Sequence, residues 1–177
     1  MKRTIAVVLT LMLGISLLVG CGGGGGSAGS VSGEVYDAGN VSALVPKGWK
    51  VYPIVDVFDD YDGEYDPNGL SINKGAKGAF DQLTTPGLQI KWYASGDGPN
   101  NEYSKAFYDD VEDLAPMTIG SRTWKGFTAV SIGYPLALLW TEEGDIFQVT
   151  VWLENGGKKI SLDDADVRAI LESIQAT

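Results

Sequence analysis

The chain has 177 residues with 23 acidic and 13 basic side chains, so its net charge at neutral pH is −10. This charge disfavours nucleic acid and anionic lipid headgroups as partners, because both would be repelled. Histidine is absent and cysteine occurs once, which excludes Ser-His-Asp and Cys-His catalysis and the usual zinc, copper and haem sites. We therefore expect no cofactor, and an enzyme of this composition would depend on carboxylates, a Ser-Lys pair or tyrosine.

The N-terminal segment combines a basic start with a long uncharged run. Lys2 and Arg3 precede uncharged residues 4–19, and the tetrad LVGC at 18–21 closes the segment at Cys21. The cations hold the N-terminus on the cytoplasmic side, and the apolar run is shorter than the roughly 20 residues of a spanning helix. The pattern resembles a bacterial lipoprotein signal peptide with its lipobox.

The lipoprotein resemblance implies removal of residues 1–20 and a diacylglyceryl thioether on Cys21, usually with an amide-linked acyl chain such as palmitate. Two or three acyl chains anchor a protein stably at about 0.8 kcal/mol per buried CH₂, so Cys21 would link the chain to the lipid bilayer. The mature protein would lie on the outer side of the cell membrane, or on the outer membrane if the envelope has two. The alternatives are an uncleaved transmembrane anchor and an ordinary secretory signal.

Residues 21–33 are predicted to be the lipidated cysteine followed by a flexible tether, because 22–33 consist of Gly, Ser, Ala and one valine. A Gly/Ser chain of this length has a root-mean-square reach of roughly 20 Å. Residues 34–177 are the right length for a single ectodomain.

Alternating apolar residues predict mainly β structure in that ectodomain. Val41, Ala43 and Val45 form one strand before a turn at 46–48, and a second strand runs from Trp49 to Phe58. Further strands are predicted at 88–94, 127–132, 136–141 and 146–153, with hairpin turns at 142–145 and within 120–126.

Two helices are predicted from residues at helical spacing. The first spans 101–114 and ends before Pro116, with an apolar stripe of Tyr103, Ala106, Phe107, Val111 and Leu114. The second begins at Asp163 as N-cap, with a stripe of Val167, Ile170, Leu171 and Ile174. Together the elements predict an α+β fold, a mainly antiparallel twisted sheet with a mid-chain helix and a C-terminal helix packed on it.

This order of elements, the turn VPKGW at 45–49 and the helix pattern VRxILxSI at 167–174 resemble PsbP-type domains. The resemblance covers most of 34–177 and implies a PsbP-like fold that is largely non-catalytic. It assigns no catalytic residue to this chain, because fold does not fix function.

An acidic loop near residues 59–69 has oxygen ligands at alternate positions, which calcium sites require. The candidate ligands are Asp60, Asp62, Glu64 and Asp66. No EF-hand register fits, because Tyr65 or Pro67 would occupy the place of the turn glycine. We expect a solvated loop without a metal, and a calcium-dependent surface domain is the alternative.

Five tryptophans are many for one small domain: Trp49, Trp92, Trp124, Trp140 and Trp152. Trp92 and Trp140 share strand faces with aliphatic residues, which predicts core packing. Trp124 lies among basic residues and Trp152 shares its face with polar ones, so these two, with adjacent acidic residues, are the predicted ligand-binding side chains. The alternative for Trp152 is packing under the C-terminal helix.

The function predicted from these features is that of a membrane-anchored, non-catalytic binding or interaction module. Its expected partner is a protein or glycan of the cell envelope, and nucleic acid is not expected. A carboxylate-based hydrolase of envelope glycans is the alternative, and it would need two carboxylates roughly 5–9.5 Å apart in a cleft.

Overall fold

The computed structural model describes residues 31–55, 65–94 and 98–177. Its strands are β1 (Gly33–Asp37), β2 (Val41–Pro46), β3 (Trp49–Val55), β4 (Tyr65–Lys74), β5 (Gly87–Tyr93), β6 (Asp109–Ile119), β7 (Arg122–Ser131), β8 (Tyr134–Trp140), β9 (Ile146–Trp152), β10 (Glu154–Asn155), β11 (Lys158–Lys159) and β12 (Gln175–Ala176). The helices are α1 (Asn101–Ser104) and α2 (Ala165–Ser173), and 3₁₀ turns span Ala79–Leu83 and Lys105–Phe107. The predicted signal peptide, Cys21, most of the tether, and Asp60, Asp62 and Glu64 lie outside the described residues.

Antiparallel sheets dominate the domain, which confirms the predicted α+β class. The large sheet has seven strands in the order β3-β4-β5-β9-β8-β7-β6, and the small sheet has the order β1-β2-β12. β10 and β11 form a separate two-stranded ribbon. Within the described residues, no helix is long and apolar enough to cross a membrane.

The main core lies between one face of the large sheet, the inner face, and a layer made of the small sheet and α2. Alternate residues of β4, β5 and β9 are fully buried there: Leu70, Ile72, Leu88, Ile90, Phe147, Val149 and Val151. The predicted stripe of the C-terminal helix is confirmed, since Val167, Ile170, Leu171 and Ile174 are fully buried in the same cluster. The helix begins one residue later than predicted, with Asp164 as its N-cap.

The strands predicted at 88–94, 136–141 and 146–153 agree with β5, β8 and β9 to within two residues, whereas the strand predicted at 127–132 covers only the second half of β7. The predicted hairpin turns lie between the expected strands. The tight turn in 120–126 consists of Gly120 and Ser121, between β6 and β7. The second strand, β3, is described as far as Val55, so the predicted part of it at 56–58 lies outside the described residues.

The predicted mid-chain helix over 101–114 is wrong. α1 ends at Ser104, one 3₁₀ turn follows, and residues 109–119 form β6 at the edge of the large sheet. Tyr103 and Phe107 are 67% and 71% exposed, and their rings contact each other with centroids 5.5 Å apart. Their helical spacing therefore reflects a local pair on the surface and not a stripe that faces the core.

The sequence of β6 lacks the regular alternation of apolar and polar residues that identifies a strand. Its register against β7 shifts between Asp109 and Glu112 and again between Leu114 and Met117. Such bulges add unpaired residues and interrupt the period-two alternation that identifies a strand. Pro116 is compatible with this position because an edge strand tolerates the missing N–H.

The opposite face of the large sheet, the outer face, has two different halves. Over β7 and β8 it is apolar, with a second buried cluster of Phe127, Ala129, Leu136, Leu138 and Trp140. The segment after α1 contributes to its cover, since Lys105 Nζ lies 5.8 Å from the centroid of the Phe127 ring. Over β4, β5 and β9 the outer face carries polar side chains and a groove.

Candidate binding groove

The polar half of the outer face contains a concave site of about 470 Å³, which we name the outer groove. The strand register builds its floor, because Trp152 pairs with Gly87, which pairs with Asn73 on the next strand. Gln89 pairs with Ser71 in the adjacent row. These residues lie on three neighbouring strands, β4, β5 and β9, and alternate with the buried core residues of the same strands.

The walls of the outer groove come from three other parts of the chain. The last residues of β3 form one side, Gln82 and Leu83 of the 3₁₀ turn form another, and Tyr134 and Asn155 close the end near Trp152. Its volume falls within the roughly 300–1,000 Å³ of ordinary ligand sites. Each described residue of its lining is uncharged.

Asn73 joins the floor to the 3₁₀ wall. Its Nδ2 donates to the main-chain carbonyl oxygens of Gln82, at 3.2 Å, and Thr85, at 3.1 Å, and its Oδ1 accepts from Ser71 Oγ at 2.8 Å. Asn155 Nδ2 donates to the carbonyl oxygen of Leu83 at 3.0 Å, and this second hydrogen bond to the wall is exposed. Because two amides fasten it, the wall has a defined position above the sheet.

Gly87 makes room for the Asn73 amide. A Cβ at position 87 would lie 2.8 Å from Asn73 Cγ and 2.5 Å from the carbonyl oxygen of Ile72. Real Cβ atoms do not approach backbone this closely, so a side chain here would push β4 and the Asn73 amide away. The glycine also leaves Trp152 without a side chain beside it on the β5 side.

Tyr52 and Asp81 hold the start of the 3₁₀ turn. Tyr52 Oη donates to the carbonyl oxygen of Gly78 at 2.5 Å. The pKa of Tyr52 is raised, mainly by burial and to a smaller extent by the nearby negative charge of Asp81. The Asp81 carboxylate accepts the main-chain N–H groups of Gly78, at 2.9 Å, and Lys77, at 2.7 Å. Both hydrogen bonds lower the pKa of Asp81, and the one from Gly78 has the larger effect.

Of the two tryptophans predicted to bind ligand, only Trp152 lies on the groove. It is partly exposed, shares its face with Gln148 and Thr150 as predicted, and contacts the cluster around Phe127, not α2. The prediction for Trp124 is wrong, because this side chain is 0% exposed within the main core. The turn at 120–121 sets the register of β7 so that Trp124 lies opposite Met117, on the inner face of the sheet. Its basic neighbour Lys125 lies on the outer face.

Asp66 is engaged in a structural ion pair. The carboxylate is buried and lies 3.1 Å from Lys91 Nζ, and its second oxygen accepts the main-chain N–H of Asn68 at 2.8 Å. Among residues 31–55, 65–94 and 98–177, no group of three or more His, Cys, Asp or Glu could hold a metal ion. The other three calcium candidates fall outside these ranges.

Several other carboxylates lie in exposed ion pairs away from the groove. Lys105 Nζ donates to Glu102 and to Asp113, both at 2.6 Å, and these hydrogen bonds, most of all the one to Asp113, raise the pKa of Lys105. Glu142 contacts Lys125 Nζ at 2.7 Å and accepts from the Trp140 indole at 3.2 Å, which lowers the pKa of Glu142. These carboxylates pair with lysines on the surface and line no part of the outer groove.

Sequence reasoning missed most of the groove, including Asn73, Gln82 and Tyr134. The sequence contains one signal for this missed part of the groove. The alternation in 88–94 places Gln89 on the opposite face of the strand from the buried Leu88 and Ile90. The pairing of β5 with β9 brings Gln89 and Trp152 to the same floor, and this pairing joins strands about 60 residues apart in the sequence.

No family model matches the chain, and no curated protein matches it in sequence. Among solved structures, it is similar to the solution structure of the cyanobacterial PsbP protein CyanoP from Synechocystis sp. PCC 6803. The match has 12% sequence identity and a TM-score of 0.41, and it covers 88% of this chain and 98% of that one. At this identity and TM-score the similarity supports no conclusion about fold family, ligand or activity.

Proposed function

We propose that this chain is a membrane-anchored, extracytoplasmic binding module without catalytic activity, and that the outer groove is its binding site. The observation that supports the proposal most directly is the partly exposed Trp152 on the floor of a concave site. Large aromatic side chains in concave sites supply much of the affinity in molecular recognition. The concave shape and the exposed indole therefore suit the groove to binding an envelope protein or glycan.

The described lining of the outer groove carries no charge, which favours binding over hydrolysis. Acid and base catalysis need ionisable side chains near the reacting atoms. The described lining of the outer groove offers amides, a serine hydroxyl, a tyrosine and an indole, but no carboxylate. A hydrolase would therefore need a different site from this one.

Anchoring is supported by the lipobox at 18–21 and is tested by substitution of the cysteine. Cys21→Ala should give an unlipidated, unprocessed precursor, and a radioactive fatty acid should label only the wild-type protein. Label on the variant, or a mature N-terminus at another residue, would contradict the anchor.

Binding is tested with the full-length lipidated protein reconstituted in liposomes. Soluble envelope polymers and exported proteins, separated into glycan and protein fractions, are mixed with the vesicles, and bound material is measured after sedimentation. We expect Trp152→Ala to lose the bound fraction, whereas Tyr103→Ala, an exposed aromatic residue outside the groove, should retain it. Binding that is the same for wild type and Trp152→Ala would refute the assignment of the site.

The calcium alternative predicts a different response. Binding of calcium to the folded state would stabilise the protein by about 2.7 kcal/mol at a hundred times the dissociation constant. We expect no change in Tm at millimolar calcium, because Asp66 already pairs with Lys91. A chelator-reversible rise in Tm that is lost in Asp62→Ala would establish the alternative.

A further inference from the structure

We propose that the ligand of the outer groove is a neutral oligosaccharide, an inference that rests on the binding function proposed above. Four features of the groove support this ligand: its charge, its free hydrogen-bonding groups, its aromatic surface and its position on the sheet.

The described lining of the groove is neutral, although the protein is strongly acidic. One fifth of the chain is charged and the net charge is −10, yet the described lining contains no charged side chain. The lysines on neighbouring positions of the outer face are already engaged, since Lys91 pairs with Asp66 at 3.1 Å and Lys50 Nζ donates to the carbonyl oxygen of Lys77 at 2.6 Å. Among the described lining residues an ionic ligand would find no oppositely charged partner, and it would lose its hydration.

The free polar groups of the groove suit hydroxyl groups. Gln82 and Gln89 are exposed, and within the part of the chain that the structure describes neither side chain has a hydrogen-bond partner. A primary amide presents a donor and an acceptor side by side, so it can bind two adjacent hydroxyls of a sugar ring. Ser71 Oγ donates to Asn73, which orients its own oxygen as an acceptor.

The aromatic groups of the groove suit the C–H faces of sugar rings. The cross-strand neighbours of Trp152 are Gly87 and Leu136, so no side chain from β5 covers the indole. Tyr134 lies two residues before Leu136 on the same strand face and is 47% exposed. Such diagonal positions are about 7–8 Å apart, and the two rings therefore offer separate contacts along one chain of sugars.

The position of the groove disfavours an extended peptide as ligand. Its floor consists of β4, β5 and β9, which have paired neighbours on both sides. Their backbone N–H and C=O groups are used within the sheet, so a peptide could not add to this floor as a further strand. The edge strand β3 contributes only its last residues, to one side of the groove. A ligand that lies on the floor is therefore recognised by side chains, as a saccharide is.

The test measures binding of defined sugars to the full-length protein in liposomes by co-sedimentation. The probes are the neutral hexasaccharides cellohexaose, chitohexaose and mannohexaose at up to millimolar concentration, with the anionic hexamer of galacturonic acid as comparator. We expect at least one neutral probe to bind and the anionic one not to bind. Trp152→Ala and Gln89→Ala should each weaken binding about tenfold, whereas Tyr103→Ala should leave it unchanged.

The outcomes separate the ligand class from the function. Binding of the anionic probe alone, or neutral binding that survives both groove substitutions, would overturn the inference. If no saccharide binds but an exported protein binds in a Trp152-dependent way, the ligand class is wrong and the binding module stands. If neither binds, the proposed function fails as well. Circular dichroism and Tm of each variant identify loss of binding that is due to unfolding.

Discussion

Asn73 fastens the wall of the outer groove to its floor, and its removal should both destabilise the domain and open the groove. The side chain is 2% exposed and makes three hydrogen bonds, to Ser71, Gln82 and Thr85. A hydrogen bond of this kind contributes about 0.5–1.5 kcal/mol net, and a buried group left without a partner costs about 1–3 kcal/mol. Gln82 is exposed, so water can replace part of the loss at its carbonyl. We therefore expect Asn73→Ala to lower the free energy of unfolding by about 2–3 kcal/mol.

The assay is equilibrium unfolding in urea, followed by circular dichroism, with the midpoint and the m-value fitted separately. The matched control is Asn155→Ala, which removes a single exposed hydrogen bond to the same 3₁₀ wall at 3.0 Å and should change the free energy of unfolding by at most about 0.5 kcal/mol. Equal effects of the two substitutions would refute the view that the wall is fixed from beneath through Asn73.

Four further substitutions test other features of the fold. Gly87→Ala and Gly126→Ala both place a Cβ against the backbone of a neighbouring strand, so each should lower the free energy of unfolding by about 1–3 kcal/mol. Only Gly87→Ala should also weaken ligand binding in the sedimentation assay, and equal weakening by both would contradict the role of Gly87 in the floor. Ile132 is 92% exposed with φ of +50° in the turn between β7 and β8, so Ile132→Asn should raise the free energy of unfolding by about 1 kcal/mol in thermal denaturation, and a lower Tm would contradict this. Since two main-chain N–H groups lower the pKa of Asp81 from 3.8, its contribution to stability is complete above that pH and is lost as the pH falls through the lower folded value. Asp81→Asn should therefore flatten the decline of Tm with pH in this acid range, and an unchanged acid profile would show that the carboxylate does not hold the turn.

Local patterns in the sequence predict those elements whose residues face one uniform environment. β9 alternates between the core and the outer face without interruption, and α2 directs one stripe at the sheet, so both are recognisable from spacing alone. Residues 101–119 do not show such patterns. An exposed aromatic pair has the spacing of a helical stripe, and two bulges interrupt the alternation of β6. Spacing does not distinguish a side chain that contacts its own neighbour from one that contacts the core.

The candidate site depends on relations that no local pattern contains. Trp152 was identifiable because its own strand has a polar face. Trp124 was not, since its burial depends on a turn of two residues that sets the register of β7. The partners of Trp152 in the groove come from β4, β5 and the 3₁₀ wall, and only the order of strands in the sheet brings them together.

The small sheet sets the order in which the domain can assemble during synthesis. β2 lies between β1, made shortly before it, and β12, made after nearly all the rest of the domain, with Ser42 opposite Gln175. α2 is also made late, and it supplies much of the layer over the inner face of the large sheet. Until both emerge, β2 alone cannot complete the cover of the buried faces of β4, β5 and β9, and a partly made chain exposes apolar strands that can associate with other chains. The domain is therefore expected to fold in one late step, and loss of residues 165–176 would harm it more than loss of an equally long surface loop.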